Sequence, residues 1–108
     1  MIPHVWGKHI WYTFEDSGAH CVYEPRNAGE PNADAINNRP PPTPAEAEEF
    51  IGDTLEVIAL PFDAQLIVRK GHEQRSERVN LGVLHLTSRA IRGKAIVLIG
   101  RCRWRNDV

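Results

Sequence analysis

Cysteine is nearly absent from this 108-residue chain: Cys21 and Cys102 are the only two, far apart, and neither belongs to a Cys-x-x-Cys pair. That spacing excludes a zinc ribbon, a thioredoxin-like redox motif and a disulfide framework, so both are expected as reduced thiols. A bridge between them would need the two end segments to pair in one sheet. Long apolar runs are missing as well. The longest, Ala95 to Ile99, is far too short to span a bilayer, and the opening Met1-Ile2-Pro3-His4-Val5-Trp6 lacks a charged start leading into an apolar stretch. A cytoplasmic protein with no membrane partner is therefore expected. There is no Gly-rich phosphate loop, no His-Glu-x-x-His and no Gly-x-Ser-x-Gly, which leaves no nucleotide-binding, zinc-protease or serine-hydrolase signature to follow.

What the chain does have is a charge split. Residues 1–68 carry 11 acids against Lys8, Arg26 and Arg39, whereas residues 69–108 carry ten Lys and Arg against Glu73, Glu77 and Asp107. The net charge of -1 conceals both poles. Such a dipole either folds onto itself or offers a basic face to an acidic partner. The length suits one domain spanning 1–108, with 42% hydrophobic and 25% charged residues, as in an ordinary globular protein.

Lys8 to Phe14 and Ala19 to Tyr23 are rich in aromatic and β-branched residues and flank Glu15-Asp16-Ser17-Gly18, a hairpin pattern. Alternation puts Ile10, Tyr12 and Phe14 on one face and Trp11 and Thr13 on the other, so Trp11 is either a second core anchor or an exposed binding aromatic. Residues 24–42 are Pro- and Asn-rich, ending in Asn37-Asn38-Arg39-Pro40-Pro41-Pro42, and read as a long surface loop. Thr43-Pro44-Ala45-Glu46 spells a capping box with proline at the first helical position, and Gly52 is placed to stop the helix. Asp53 to Leu60 and Ala64 to Lys70, joined by Pro61-Phe62-Asp63, predict two antiparallel strands. Gly71 to Arg78 reads as a turn and exposed edge. Asn80 could cap a short helix, although residues 81–88 also alternate as a strand would. Lys94 to Gly100 has the continuous apolar run of a central strand, and Arg101-Cys102-Arg103-Trp104-Arg105 could extend it, setting the three arginines on one face. The expected fold is α+β: a small antiparallel sheet of about five strands with one or two short helices packed on it.

The block Glu49 to Ile58, then Pro61-Phe62-Asp63, Val79-Asn80-Leu81 and Ile91 to Gly100, resembles a small family of phage and mobile-element proteins catalogued as a domain of unknown function (DUF3846-like), over roughly residues 43–100. The resemblance lies in pattern: a short helix ending in an apolar residue and Gly, two strands, an Asn-led turn, and a last strand opened by Gly. The chain departs from it at Asp53, where a second Gly is usual, after Asn80, where Arg is usual, and over its first 40 residues. The resemblance implies a small α+β domain from a phage or mobile element, with no assigned activity.

Candidate chemistry is sparse. Of His4, His9, His20, His72 and His85, only His20 adjoins a cysteine, and strand alternation points His20 and Cys21 to opposite faces. Glu46, Glu48, Glu49, Asp53 and Glu56 are accounted for by capping and solvation of a helix. No catalytic residue, metal or cofactor is therefore expected, and a small thiol or metal-dependent enzyme is the minority reading. The basic end is the stronger signal. Arg101, Arg103, Trp104 and Arg105, together with Trp11, are the candidate partner contacts, because arginine and tryptophan anchor many binding surfaces. Arg89, Arg92 and Lys94 would add phosphate contacts if the partner were nucleic acid, although the near-neutral whole chain is unlike a dedicated nucleic-acid binder. The bland alternative is that these bases pair with acids of the same fold in exposed ion pairs. The sequence reading is thus a non-catalytic phage or mobile-element accessory protein that binds a host protein, as a counter-defence or regulatory inhibitor. Nucleic-acid binding is the alternative, and a dimer is open.

Overall fold

The computed structural model describes residues 10–23, 39–61, 63–71 and 78–104. Five strands and two α-helices follow in the order β1 (Trp11–Phe14), β2 (His20–Tyr23), α1 (Pro44–Ile51), β3 (Leu55–Leu60), β4 (Ala64–Arg69), α2 (Leu81–Thr87) and β5 (Ala95–Ile99). They form one antiparallel sheet in the order β2-β1-β5-β4-β3, so the last strand enters between the two hairpins. The expected α+β architecture is the observed one. Position explains composition: β5 has neighbours on both edges and helices over both faces, and all five of its residues are buried, which is why it reads as an unbroken apolar run.

Opposed residues in an antiparallel ladder share a face, and the registers divide the side chains into two cores. Tyr12, Phe14, Leu66, Val68, Ala95, Val97 and Ile99 face α2 and pack with its Val83 and Leu86. Trp11, Ile67, Ile96 and Leu98 face the other way and pack with Ala47 and Ile51 of α1. The two short helices thus lie on opposite faces of the sheet.

Local chemistry fixes both helices. At α1 the Thr43 hydroxyl accepts the Glu46 N–H at 3.2 Å while the Glu46 carboxylate accepts the Thr43 N–H at 2.9 Å, and Gly52 ends the helix at φ 85°. Residues 81–87 are helical rather than extended. The Asn80 side chain caps Val83 N–H at 3.2 Å, and Ser88 closes the helix in the left-handed region at φ 62°. The base of this excursion is tied by a bridge between Val79 and Arg92 and by Asn80 N–H donating to the Ile91 carbonyl at 2.6 Å.

One expectation fails at the C-terminal end. β5 stops at Ile99, and the chain turns through a 3₁₀ segment at Gly100–Cys102. Gly100 adopts φ 65°, out of the strand region, and donates its N–H to the Asp63 carbonyl at 2.8 Å. Among the described residues the alternating letters after it therefore do not continue the strand, and no arginine-bearing strand face forms over residues 101–104. No helix of the described residues is long and apolar enough to cross a membrane.

Candidate functional site

The residues singled out by sequence are dispersed. Trp11 is only 5% exposed: its ring stacks on Tyr23 with centroids 4.2 Å apart, and its Nε1–H donates to the Arg39 carbonyl at 3.2 Å. It is the second core anchor, which removes it from the partner contacts. Trp104 is half-buried beside the same core and carries three hydrogen bonds. Its Nε1–H donates to the Pro42 carbonyl at 2.8 Å, while its backbone N–H and carbonyl bind the two ends of the Gln65 amide at 2.7 and 3.0 Å. Both indoles are therefore structural, and together they hold the Arg39–Pro42 end of the proline-rich loop; residues 24–38 of that loop lie outside the described residues.

The bases divide in the same way. Lys94 lies 5.1 Å above the Phe50 ring and reaches the Phe50 carbonyl at 3.5 Å, which places its cation at the negative end of α1. Arg103 donates through Nε to the Gly100 carbonyl at 3.0 Å and pairs with Asp63 at 3.9 Å, an exposed contact worth about 0–1 kcal/mol. Arg101 is exposed on the 3₁₀ turn, Arg92 is half-buried at the base of α2, Arg89 is exposed just beyond the helix end, and Arg105 is outside the described residues. Part of the basic pole is thus used within the fold.

Two clefts flank the β1–β2 hairpin. The first, of about 550 Å³ on the α1 face, is lined by Trp11, Cys21, Tyr23, Arg39, Glu49 and Phe50 among others. The Arg39 guanidinium lies 5.9 Å from the Tyr23 ring there. The thiols are separate: Cys21 is exposed on β2 and Cys102 is buried, its thiol pushed up to about 11 by burial. Among the described residues no three His, Cys, Asp or Glu side chains are grouped to hold a metal ion.

The second cleft, of about 350 Å³, lies between the hairpin and α2 and is the more apolar in character. Tyr12 and Phe14 line it with nearly parallel rings, centroids 5.8 Å apart, and His20 sits against both at 5.9 and 5.6 Å. From α2, Leu81, His85 and Leu86 supply the opposite wall. Leu81 on its wall is 62% exposed, and Val22 and Leu84, each 36% exposed, lie elsewhere on the same strand and helix. Burial holds the Tyr12 hydroxyl protonated above its ordinary range.

A glycine pair sets the depth of this groove. Gly82 packs so closely on the hairpin that a methyl group there would run into the Gly18 carbonyl oxygen and lie 3.0 Å from the Phe14 ring. Gly18 in turn adopts φ 93° and sits against the Gly82 backbone. Asn80, fully buried, completes the joint. Its Nδ2 donates to the Glu15 and Gly93 carbonyls, both at 2.8 Å, while its oxygen caps α2. None of this was visible as a motif. The available signals were Gly82, a costly residue inside a helix unless something packs against it, and Leu81, apolar at the exposed start of that helix.

No family model, no curated protein and no solved structure matches this chain.

Proposed function

We propose that this chain is a non-catalytic accessory protein of a phage or mobile element that binds a host protein, and that it does so through the groove between the β1–β2 hairpin and α2. The carrying observation is a cleft floored by Tyr12 and Phe14, themselves only 5% and 2% exposed, and walled by the exposed Leu81 and His85 of α2 and the exposed His20 of β2. An apolar cleft bordered by a few polar groups is the usual form of a site that takes a partner's anchoring side chain. The mobile-element setting rests on the pattern resemblance over residues 43–100 alone.

Charge gives the partner a chemistry. Residues 78–104 contain no Asp or Glu, and His85 on the groove wall supplies a donor, with Arg89 four residues further along the chain. The fitting ligand is a host-protein segment with one Leu- or Phe-sized side chain beside an acidic residue. Its apolar group fills the cleft, and its carboxylate meets the basic end of α2. Inhibition of a host defence or regulatory protein would follow from covering the surface that this segment belongs to.

Titration of ¹⁵N-labelled protein with short acidic peptides carrying a single Leu or Phe tests the reading. Shifts are expected at Val22, His20, Leu81 and His85, and Leu81→Glu should abolish them. Peptides that shift only Arg101 and Arg103, or a duplex oligonucleotide that binds at low salt through Arg89, Arg92 and Lys94, would overturn it in favour of a basic contact surface.

A further inference from the structure

We infer that β3 is a self-pairing edge, and that two copies of this chain join through it into one continuous antiparallel sheet. β3 is the last strand of the sheet, and among the described residues no strand lies on its outer side. An edge of six residues, Leu55–Leu60, with Glu56 as its only charge, is the kind of strand that recruits another strand. Glu56, Val57 and Ala59 are exposed, Val57 at 47%.

The register of the pairing follows from the ladder. Lys70 N–H donates to the Thr54 carbonyl at 2.8 Å, and Leu55 stands opposite Arg69, so Thr54 and Lys70 form a hydrogen-bonded pair. Antiparallel ladders alternate. Leu55, Val57 and Ala59 therefore turn their N–H and C=O groups away from β4, towards the open edge. These three positions are symmetric about Val57. A two-fold axis through Val57, perpendicular to the sheet, sets Val57 against Val57 and Leu55 against Ala59, which joins the copies by about six N–H···O bonds. In the same register Glu56 faces Ile58 and never its own copy, so no like charges oppose each other. Pro61, the next outward-facing position and one without an N–H, ends the pairing. The opposite edge, β2, is only four residues long, and Tyr23 at its end stacks with Trp11 and lies under Arg39.

The surface and the occupant are independent of the groove beside α2, which lies on the other hairpin. A single short strand edge is small beside the roughly 1,600 Å² of a standard interface, so the dimer is an equilibrium species whose population depends on concentration.

Sedimentation equilibrium of the full chain over a wide concentration range reads it directly. The wild type should pass from monomer to dimer. Val57→Pro should raise the dissociation constant at least tenfold with the fold intact, because the N–H it removes is not used by β4. Val57→Lys and Val57→Glu should each be monomeric, and an equimolar mixture of the two should form a heterodimer, a rescue that misfolding cannot produce. A wild type that stays monomeric throughout, or a dimer that survives both charged variants, would overturn the inference.

Discussion

Asn80 carries more structure than any other polar residue described. One side chain caps α2, holds the carbonyl of Glu15 at the hairpin turn and holds the carbonyl of Gly93 before β5. Replacing it by alanine removes a cap worth about 1 kcal/mol and leaves the buried Gly93 carbonyl without its donor, while the Glu15 carbonyl keeps the Gly18 N–H. Asn80→Ala should therefore lower unfolding free energy by about 2–4 kcal/mol in urea denaturation. Asn80→Asp should do no better, since it keeps the cap but replaces the one nitrogen that donates both bonds with an oxygen facing the carbonyls. Cys102 makes a second prediction at this scale. Its thiol is raised from an ordinary 9.0 to about 11, and the Tyr12 hydroxyl is raised as well, both by burial. The unfolded chain gives up the thiol proton first, so it binds fewer protons than the folded chain above pH 9.0. Stability should thus be constant below that point and fall as pH rises towards about 11. Urea midpoints measured from pH 7 to 11 check this, and Cys102→Ala should flatten part of the decline.

Among the elements, α2 illustrates how packing overrides propensity. Gly82→Ala in an isolated helix would gain about 1 kcal/mol. Here the methyl meets the Gly18 carbonyl and the Phe14 ring, and overpacking of that kind costs about 1–3 kcal/mol. Gly82→Ala should therefore lower the thermal midpoint, and a raised midpoint would contradict the close packing of helix on hairpin. The elements with a local cause were legible in the sequence. The capping box of α1, the Pro61–Asp63 turn between β3 and β4, and the apolar run of β5 each show their reason within a few residues. What local patterns could not reach were contacts between distant segments. Trp11 with Arg39 and Trp104 with Pro42 join parts of the chain that no periodicity relates, so two indoles that looked like binding groups are loop anchors. The alternation after Ile99 misled for a different reason: Gly100 turns the backbone at φ 65° and takes Arg101 and Cys102 into a 3₁₀ turn.

At the scale of the whole molecule, the acid and base halves of the chain are folded against one sheet. The acids Glu46, Glu48 and Glu49 belong to α1 on one face, while α2 and its flanks, free of acid, lie on the other. Lys94 crosses that division to Phe50 of α1, and Arg103 pairs with Asp63 between β3 and β4. The candidate site moved accordingly, from the C-terminal arginines to the groove beside α2, and half of that groove, the Leu81 and His85 wall, comes from the segment whose secondary structure the letters left open. Pull-down from host lysate with the wild type, Leu81→Glu and the double variant Arg101→Glu/Arg103→Glu decides between the two surfaces. A groove that binds a host protein predicts one acid-bearing partner recovered by the wild type and the arginine variant and lost with Leu81→Glu, unchanged by nuclease. Recovery by Leu81→Glu with loss in the arginine variant, or loss on nuclease treatment, would contradict it.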